Sequence, residues 1–155
     1  MQAPFPAYQG DQPFVFVSYA HEDSREVYAE ITWLKESGFN VWYDEGISPG
    51  AVWRNELADA ISDCALFLYF VSPNSTASSH CLQEVNFAQN KGRRFLAVHL
   101  EEHALPSGLE LSLSDRQAIL RYELSDDAYR DKLRTSIAGI VGGTVDSPAP
   151  TIDRP

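Results

Sequence analysis

Apolar and polar positions change period in blocks along the chain. Pro13-Phe-Val-Phe-Val-Ser18 is a short run of β-branched and aromatic residues and predicts a strand. Over 24–37 the period lengthens: Val27, Ile31 and Leu34 share one face at spacings of four and three. Ser24 is a candidate N-cap for this helix and Gly38 a candidate C′ glycine. Phe39–Asp44 predicts a second strand, EGISPG (45–50) a loop, and 53–63 a helix with Leu57, Ile61 and Cys64 inward. Ala65–Ser72 is the most apolar run, as expected of a central strand buried on both faces. PNSTASS (73–79) is turn chemistry, and 80–91 predicts a third helix with Cys81, Val85 and Ala88 at helical spacing. Arg94–Leu100 predicts a fourth strand. The stretch 101–117 is irregular, its GLELSLS segment open to a turn or a short helix. Ala118–Tyr122 predicts a fifth strand and 125–140 a last helix.

Strands joined by crossover helices predict an α/β, flavodoxin-like three-layer fold: a five-stranded parallel sheet in the order 2-1-3-4-5, flanked by helices. The predicted domain spans 13–141. Residues 1–12 show no periodicity and carry two prolines, the composition of a disordered N-terminal tail. Residues 142–155 hold two glycines and three prolines; they read either as a frayed end or as a linker toward another module.

Charge and composition then exclude whole classes of function. The chain has 155 residues, 12 basic and 22 acidic, for a formal net charge of −10. Such a balance argues against nucleic acid, which needs a basic face, and against a polybasic membrane anchor. No apolar run approaches the roughly 18–20 residues of a membrane span, and no signal-peptide pattern opens the chain. Cys64 and Cys81 make neither a disulfide framework nor a metal site, so a reducing cytoplasm is the expected compartment. Of His21, His80, His99 and His103, only the last two are four apart; His99 falls in a predicted strand and no HExxH is present, so no metal is expected.

The predicted topology places a ligand site before any chemistry is considered. Open α/β sheets bind ligands beyond the C-terminal ends of their strands, where strand order reverses, here between strands one and three. Ser18-Tyr19-Ala20-His21 and Ser72-Pro73-Asn74 flank that point, and the helix entered from the second carries Glu84. Glu84 lies too late for a capping box after Ser78 or Ser79 and shares a side with Cys81 and Ala88. Two readings stand for it: a partly solvated helix glutamate, or a functional carboxylate facing the crevice. Strand three ends in Val71-Ser72-Pro73, without the aspartate of a phosphoacceptor receiver. AHEDS (20–24) is a poor flavodoxin phosphate loop. GxGxxG, the P-loop pattern and a GxSxG elbow are all missing from the sequence.

Three blocks carry a family resemblance. Phe14-Val-Phe-Val-Ser-Tyr-Ala-His-Glu-Asp23 resembles the first-strand signature of TIR (Toll/interleukin-1 receptor) domains, in their bacterial style. Gly38-Phe-Asn-Val-Trp-Tyr-Asp44, then Ile47-Ser-Pro-Gly50 and Trp53, resembles their second strand and the BB loop after it. Leu68-Tyr-Phe-Val-Ser-Pro-Asn-Ser75, then Ser79-His-Cys-Leu-Gln-Glu84, resembles their third strand and following helix. The resemblance implies an NAD+-cleaving enzyme, a hydrolase or cyclase acting at the nicotinamide–ribose bond. NAD+ is then the substrate and no separate cofactor is needed. It also implies activation by association with other TIR domains through the BB loop (45–52), in bacterial defence or virulence. The alternative it allows is a non-catalytic TIR scaffold in signalling. The essential WxxxE glutamate of the enzymes carries over to Glu84, whereas the motif's tryptophan position is His80. Tyr19, His21, Ser72 and His80 fall on the implied substrate site. Trp53 matches an aromatic position that either covers the ligand or anchors the loop.

Overall fold

The structure, a computed structural model, describes residues 3–44, 51–114 and 116–141, with the backbone alone over 51–53. Five strands, β1 (Val15–Ser18), β2 (Val41–Tyr43), β3 (Leu66–Val71), β4 (Phe95–His99) and β5 (Gln117–Leu120), pair in parallel in the order β2-β1-β3-β4-β5. Helices α1 (Ser24–Glu36) and α6 (Asp126–Val141) cover one face; α2 (Ala51–Asp63), α4 (Ser79–Asn90) and α5 (Ser107–Leu113) cover the other. The one-turn helix α3 (Pro73–Thr76) links β3 to α4. The parallel sheet, its order and its flanking helices are those the sequence predicts.

The period-two rule sorts the core. Leu66, Leu68 and Phe70 of β3 enter the α1/α6 layer, while Phe67, Tyr69 and Val71 enter the opposite one; all six are buried. Four aromatic rings in register cross the second layer from β2 to β4. Trp42 stacks on Phe16 at 5.0 Å between centroids, Phe16 on Phe67 at 5.3 Å, and Phe67 on Phe95 at 5.1 Å. Each such pair adds about 0.5–1.5 kcal/mol beyond its burial. At the end of α1 the amides of Gly38 and Phe39 bond to the carbonyls of Lys35 and Leu34, with Gly38 at φ 100°. This is a Schellman close, and it needs the glycine predicted there.

Three segments differ from the sequence reading, and a fourth, left open there, takes one of its two forms. The expected loose tail over 1–12 packs in part along β2, an edge strand. Ala7 is buried, the Tyr8 amide donates to the Val41 carbonyl at 2.9 Å, and the Phe5 ring meets Tyr43 edge-on at 5.2 Å. The Tyr43 hydroxyl donates to the Phe5 carbonyl. An apolar residue on each side of a prolyl bend, too short to show a period, is enough for this docking. The expected turn over 73–79 begins as α3, because Ser72 and Ser75 cap each other reciprocally and Pro73 opens the first turn. Of the turn or short helix left open for GLELSLS within 101–117, the structure has the helix, α5, whose Leu109 and Leu113 are buried while Leu111 is exposed. Leucines at every second position there lack a helical period, which is why the sequence alone leaves a turn equally open. The fifth strand stops at Leu120 rather than Tyr122, because Arg121–Glu123 turn as a 3-10 helix that sends Arg121 inward.

The destination of Arg121 is Glu30, a buried carboxylate on α1. Arg121 Nε donates to Glu30 Oε2 at 3.0 Å and the Tyr129 hydroxyl to Oε1 at 2.7 Å. The Arg121 guanidinium also stacks 4.3 Å over the Tyr129 ring and reaches Asp126 at 3.1 Å. Both oxygens of a buried charge are thereby satisfied, which is the condition for tolerating it. No helix among the described residues is long and apolar enough to cross a membrane. Tyr129→Phe leaves one oxygen of Glu30 without its donor. It should lower the unfolding free energy by about 1–3 kcal/mol, read as a lower urea midpoint at unchanged slope.

Candidate active site

A cleft of about 490 Å³ opens beyond the C-terminal ends of β1 and β3, the point of strand reversal. Tyr19, His21, Asp44, Asn74, His80 and Glu84 face it. They arrive on three connections: Tyr19 and His21 follow β1, Asp44 follows β2, and Asn74 on α3 with His80 and Glu84 on α4 follow β3. Ser78 caps α4 by accepting the Cys81 amide at 3.2 Å, which fixes the start of the helix. Cys81, Val85 and Ala88 bury the inner stripe of α4. Glu84, flanked by that stripe, is carried to the end of β1.

There the Ser18 hydroxyl donates to Glu84 Oε1 at 2.6 Å. Burial pushes the Glu84 carboxyl up to about 7, against the Ser18 bond, which favours the ionised form; the Asp44 charge adds to the rise and His21 opposes it. Asp44 is held twice. Its backbone carbonyl accepts the Tyr19 hydroxyl at 2.6 Å, and its carboxylate pairs with His21 Nε2 at 3.4 Å. That hydrogen bond raises the His21 ring above its ordinary value despite partial burial. Tyr19 is buried and its hydroxyl is pushed upward, chiefly by burial, so it stays protonated and can donate.

A second serine–carboxylate bond runs the opposite way across the reversal. Ser72, which ends the β3 side, donates to Asp23 Oδ2 at 2.5 Å, and Asn74 Nδ2 donates to Asp23 Oδ1 at 2.8 Å. Asp23 thus ties the turn after β1 to the turn after β3 and orients Asn74 on the cleft wall.

Of the predicted residues, Tyr19, His21, His80 and Glu84 share this cleft. Ser72 is buried behind its wall, committed to Asp23 and to the α3 cap. His80 is exposed and stands between the cleft and an adjoining groove of about 250 Å³ lined by Arg54, Leu57, Ile61 and Phe87. The backbone of Trp53 lies in the first turn of α2; its side chain, like the 45–50 part of the BB loop, falls outside the described residues. Sequence reasoning missed Asp23 and Asp44. Asp23 looks like a solvated helix start, and its partners lie 49 and 51 residues away. Asp44 ends an apolar run beside a loop, where an aspartate is ordinary. Among the described residues that line the cleft, Glu22, Asp44 and Glu84 are acidic and none is Lys or Arg.

A family model described as TIR domain matches residues 15–135. No curated protein matches the chain. Similar solved structures include the TIR domain of the Toll-related receptor TRR-2 from Hydra magnipapillata, at TM-score 0.64 and 16% identity over 79% of this chain and 96% of that one. The TIR domains of the activated Roq1 resistosome align at TM-score 0.65 and 17% identity, over 81% and 99% of the two chains. A Clostridium botulinum CMP N-glycosidase, BcmB, aligns at TM-score 0.55 and 20% identity, over 77% and 96%.

An acid raised by burial costs the fold stability once it ionises. Below about pH 4.5 Glu84 is protonated in both folded and unfolded chains and has no effect. From there to about 7 the unfolded chain releases the proton and the folded one keeps it, so stability falls; above 7 the full cost is present. Glu84→Gln keeps the Ser18 acceptor and removes the charge. Its thermal midpoint should equal the parent's at pH 4, exceed it increasingly as pH rises, and hold a constant lead above pH 7.

Proposed function

The chain belongs to the TIR domain family, and from that premise we propose that it is an NAD+ nucleosidase, breaking the bond between nicotinamide and ribose. The observation that carries this reading is the enclosed Glu84 carboxylate at the strand-reversal cleft. NAD+ presents a cationic pyridinium ring at the bond to be cleaved. The cleft wall formed by Glu22, Asp44 and Glu84 favours that end of the molecule.

The chemistry asks little of the protein. When the C–N bond breaks, its electron pair goes to the pyridinium nitrogen and nicotinamide leaves neutral. No general acid is needed, unlike the usual glycosidase pair. The ribose is left as an oxocarbenium ion. The Glu84 carboxylate, already fixed and partly desolvated, stabilises that cation without reorganising. Water then adds to the anomeric carbon and loses a proton, giving ADP-ribose; capture by a nucleophilic nitrogen of the same molecule gives a cyclic product instead. The anionic pyrophosphate is served by the Ser79 and His80 amides that open α4 on the same cleft wall, the Cys81 amide being held by the Ser78 cap. The C. botulinum relative in fold is an N-glycosidase by name, which is consistent with N-glycosidic chemistry on this architecture.

We further propose that the site works in assemblies. The BB loop (45–52) starts from Asp44, and Asp44 faces Glu84 across the cleft, so a second TIR domain docking on that loop would act next to the reacting bond. The Roq1 relative belongs to an assembled resistosome. One observation favours the second reading, a scaffold without chemistry: the position of the motif tryptophan holds an exposed His80.

Concentrated protein incubated with NAD+ should release nicotinamide, followed by chromatography, and Glu84→Ala should lose this by at least a hundredfold while keeping the parent's circular dichroism. Equal turnover by parent and variant would falsify the assignment. Specific activity should rise with protein concentration or enforced clustering. If concentrated and clustered parent protein releases no nicotinamide, the scaffold reading stands.

A further inference from the structure

Glu84 is held by one residue for which the family resemblance assigned no role. We propose that Ser18 is the positioning residue of Glu84: its hydroxyl, presented from the last residue of β1, fixes one carboxylate oxygen and favours the carboxylate over the acid. The proposal rests on the reading of Glu84 as the carboxylate that faces the substrate.

The geometry is specific. Ser18 is buried, and its backbone is fixed by pairing with Tyr69 on β3. The side chain therefore has a rigid base, unlike a hydroxyl on a loop. Its proton goes to Glu84 Oε1 at 2.6 Å, a charge-assisted bond length. One oxygen is thereby anchored inward and the other is left for the cleft. A carboxylate that rotates freely would spread its charge over several positions; one anchored oxygen leaves a single orientation.

The groups facing Glu84 make the bond consequential. Asp44 comes from the end of β2, and its charge disfavours a second carboxylate. His21, from the turn after β1, opposes that, but it is half exposed and already committed to Asp44. Tyr69 lies beneath on β3 and Cys81 is on the same helix; both keep their protons, their groups being pushed upward mainly by burial. Glu22 and His80 stand on the cleft wall. Of these neighbours, Ser18 alone donates a hydrogen bond to the Glu84 carboxylate among the described residues.

The test separates the hydrogen bond from the reaction. The titration of the Glu84 side-chain carboxyl is followed by carbon NMR in the substrate-free protein, its signal assigned by loss in Glu84→Gln. Ser18→Ala should move the midpoint upward by about one pH unit, and Ser18→Thr, which keeps the hydroxyl, should restore it. In the NAD+ assay Ser18→Ala should lower kcat about fivefold at pH 7 with little change in KM, and the loss should shrink above about pH 8.5 as Glu84 ionises. A purely structural role for Ser18 would give a loss independent of pH. An unmoved midpoint, or a loss that neither high pH nor Ser18→Thr relieves, overturns the proposal. Should Ser18→Ala fail to fold, Ser18→Thr against Ser18→Val gives the same comparison at matched shape. If the parent cleaves no NAD+, the functional reading fails, while the titration still decides whether Ser18 holds Glu84.

Discussion

The cleft depends on a pair of hydroxyl–carboxylate bonds that cross where the sheet changes direction. Ser18 on β1 grips Glu84, which belongs to the connection leaving β3. Ser72 at the end of β3 grips Asp23, which belongs to the connection leaving β1. Strand reversal alone would leave a gap there, because the two connections depart to opposite faces. The crossed bonds hold that gap at a fixed width. Both donors sit at strand ends, so the rigidity of the sheet is passed directly to the acidic groups.

That rigidity has its own source. The stacked rings of Trp42, Phe16, Phe67 and Phe95 tie four strands together on one face. On the other, Glu30 gathers Arg121 and Tyr129 and so joins α1, α6 and the turn after β5. One face is locked by dispersion and the other by a satisfied buried charge. Neither feature touches the cleft, yet each limits how far β1 and β3 can shift relative to each other. The strain of keeping an ionisable carboxyl partly out of water at Glu84 is carried by this framework.

Much of the fold was legible in the sequence because its signals are local. Alternation marks β1 and β3, helical spacing marks α1 and α4, and Gly38 marks the end of α1. The site was legible only in outline. Topology pointed to the residues after β1 and β3, and the position of Glu84 on the inner side of α4 could be counted from its neighbours. Its bond to Ser18, 66 residues away, could not, nor could the pairing of Asp44 with His21. Such contacts follow from strand register, which no short window encodes. Ser72 shows a further limit: it sits at the expected strand end, but the bonding of its hydroxyl to Asp23 and to the α3 cap could not be read from the sequence. The docking of Phe5, Ala7 and Tyr8 on β2 was illegible for a related reason, since a few apolar side chains can dock without any period.

The docked N-terminal segment has a consequence for how the molecule behaves among its own copies. A parallel sheet ends in strands whose outward amides and carbonyls can template another chain. On the β2 side the Val41 carbonyl is already taken by Tyr8, and Phe5 covers Tyr43. Those few residues act as a guard against open-ended strand addition. On that flank, strand addition by another copy would first have to displace the segment around Phe5 and Tyr8.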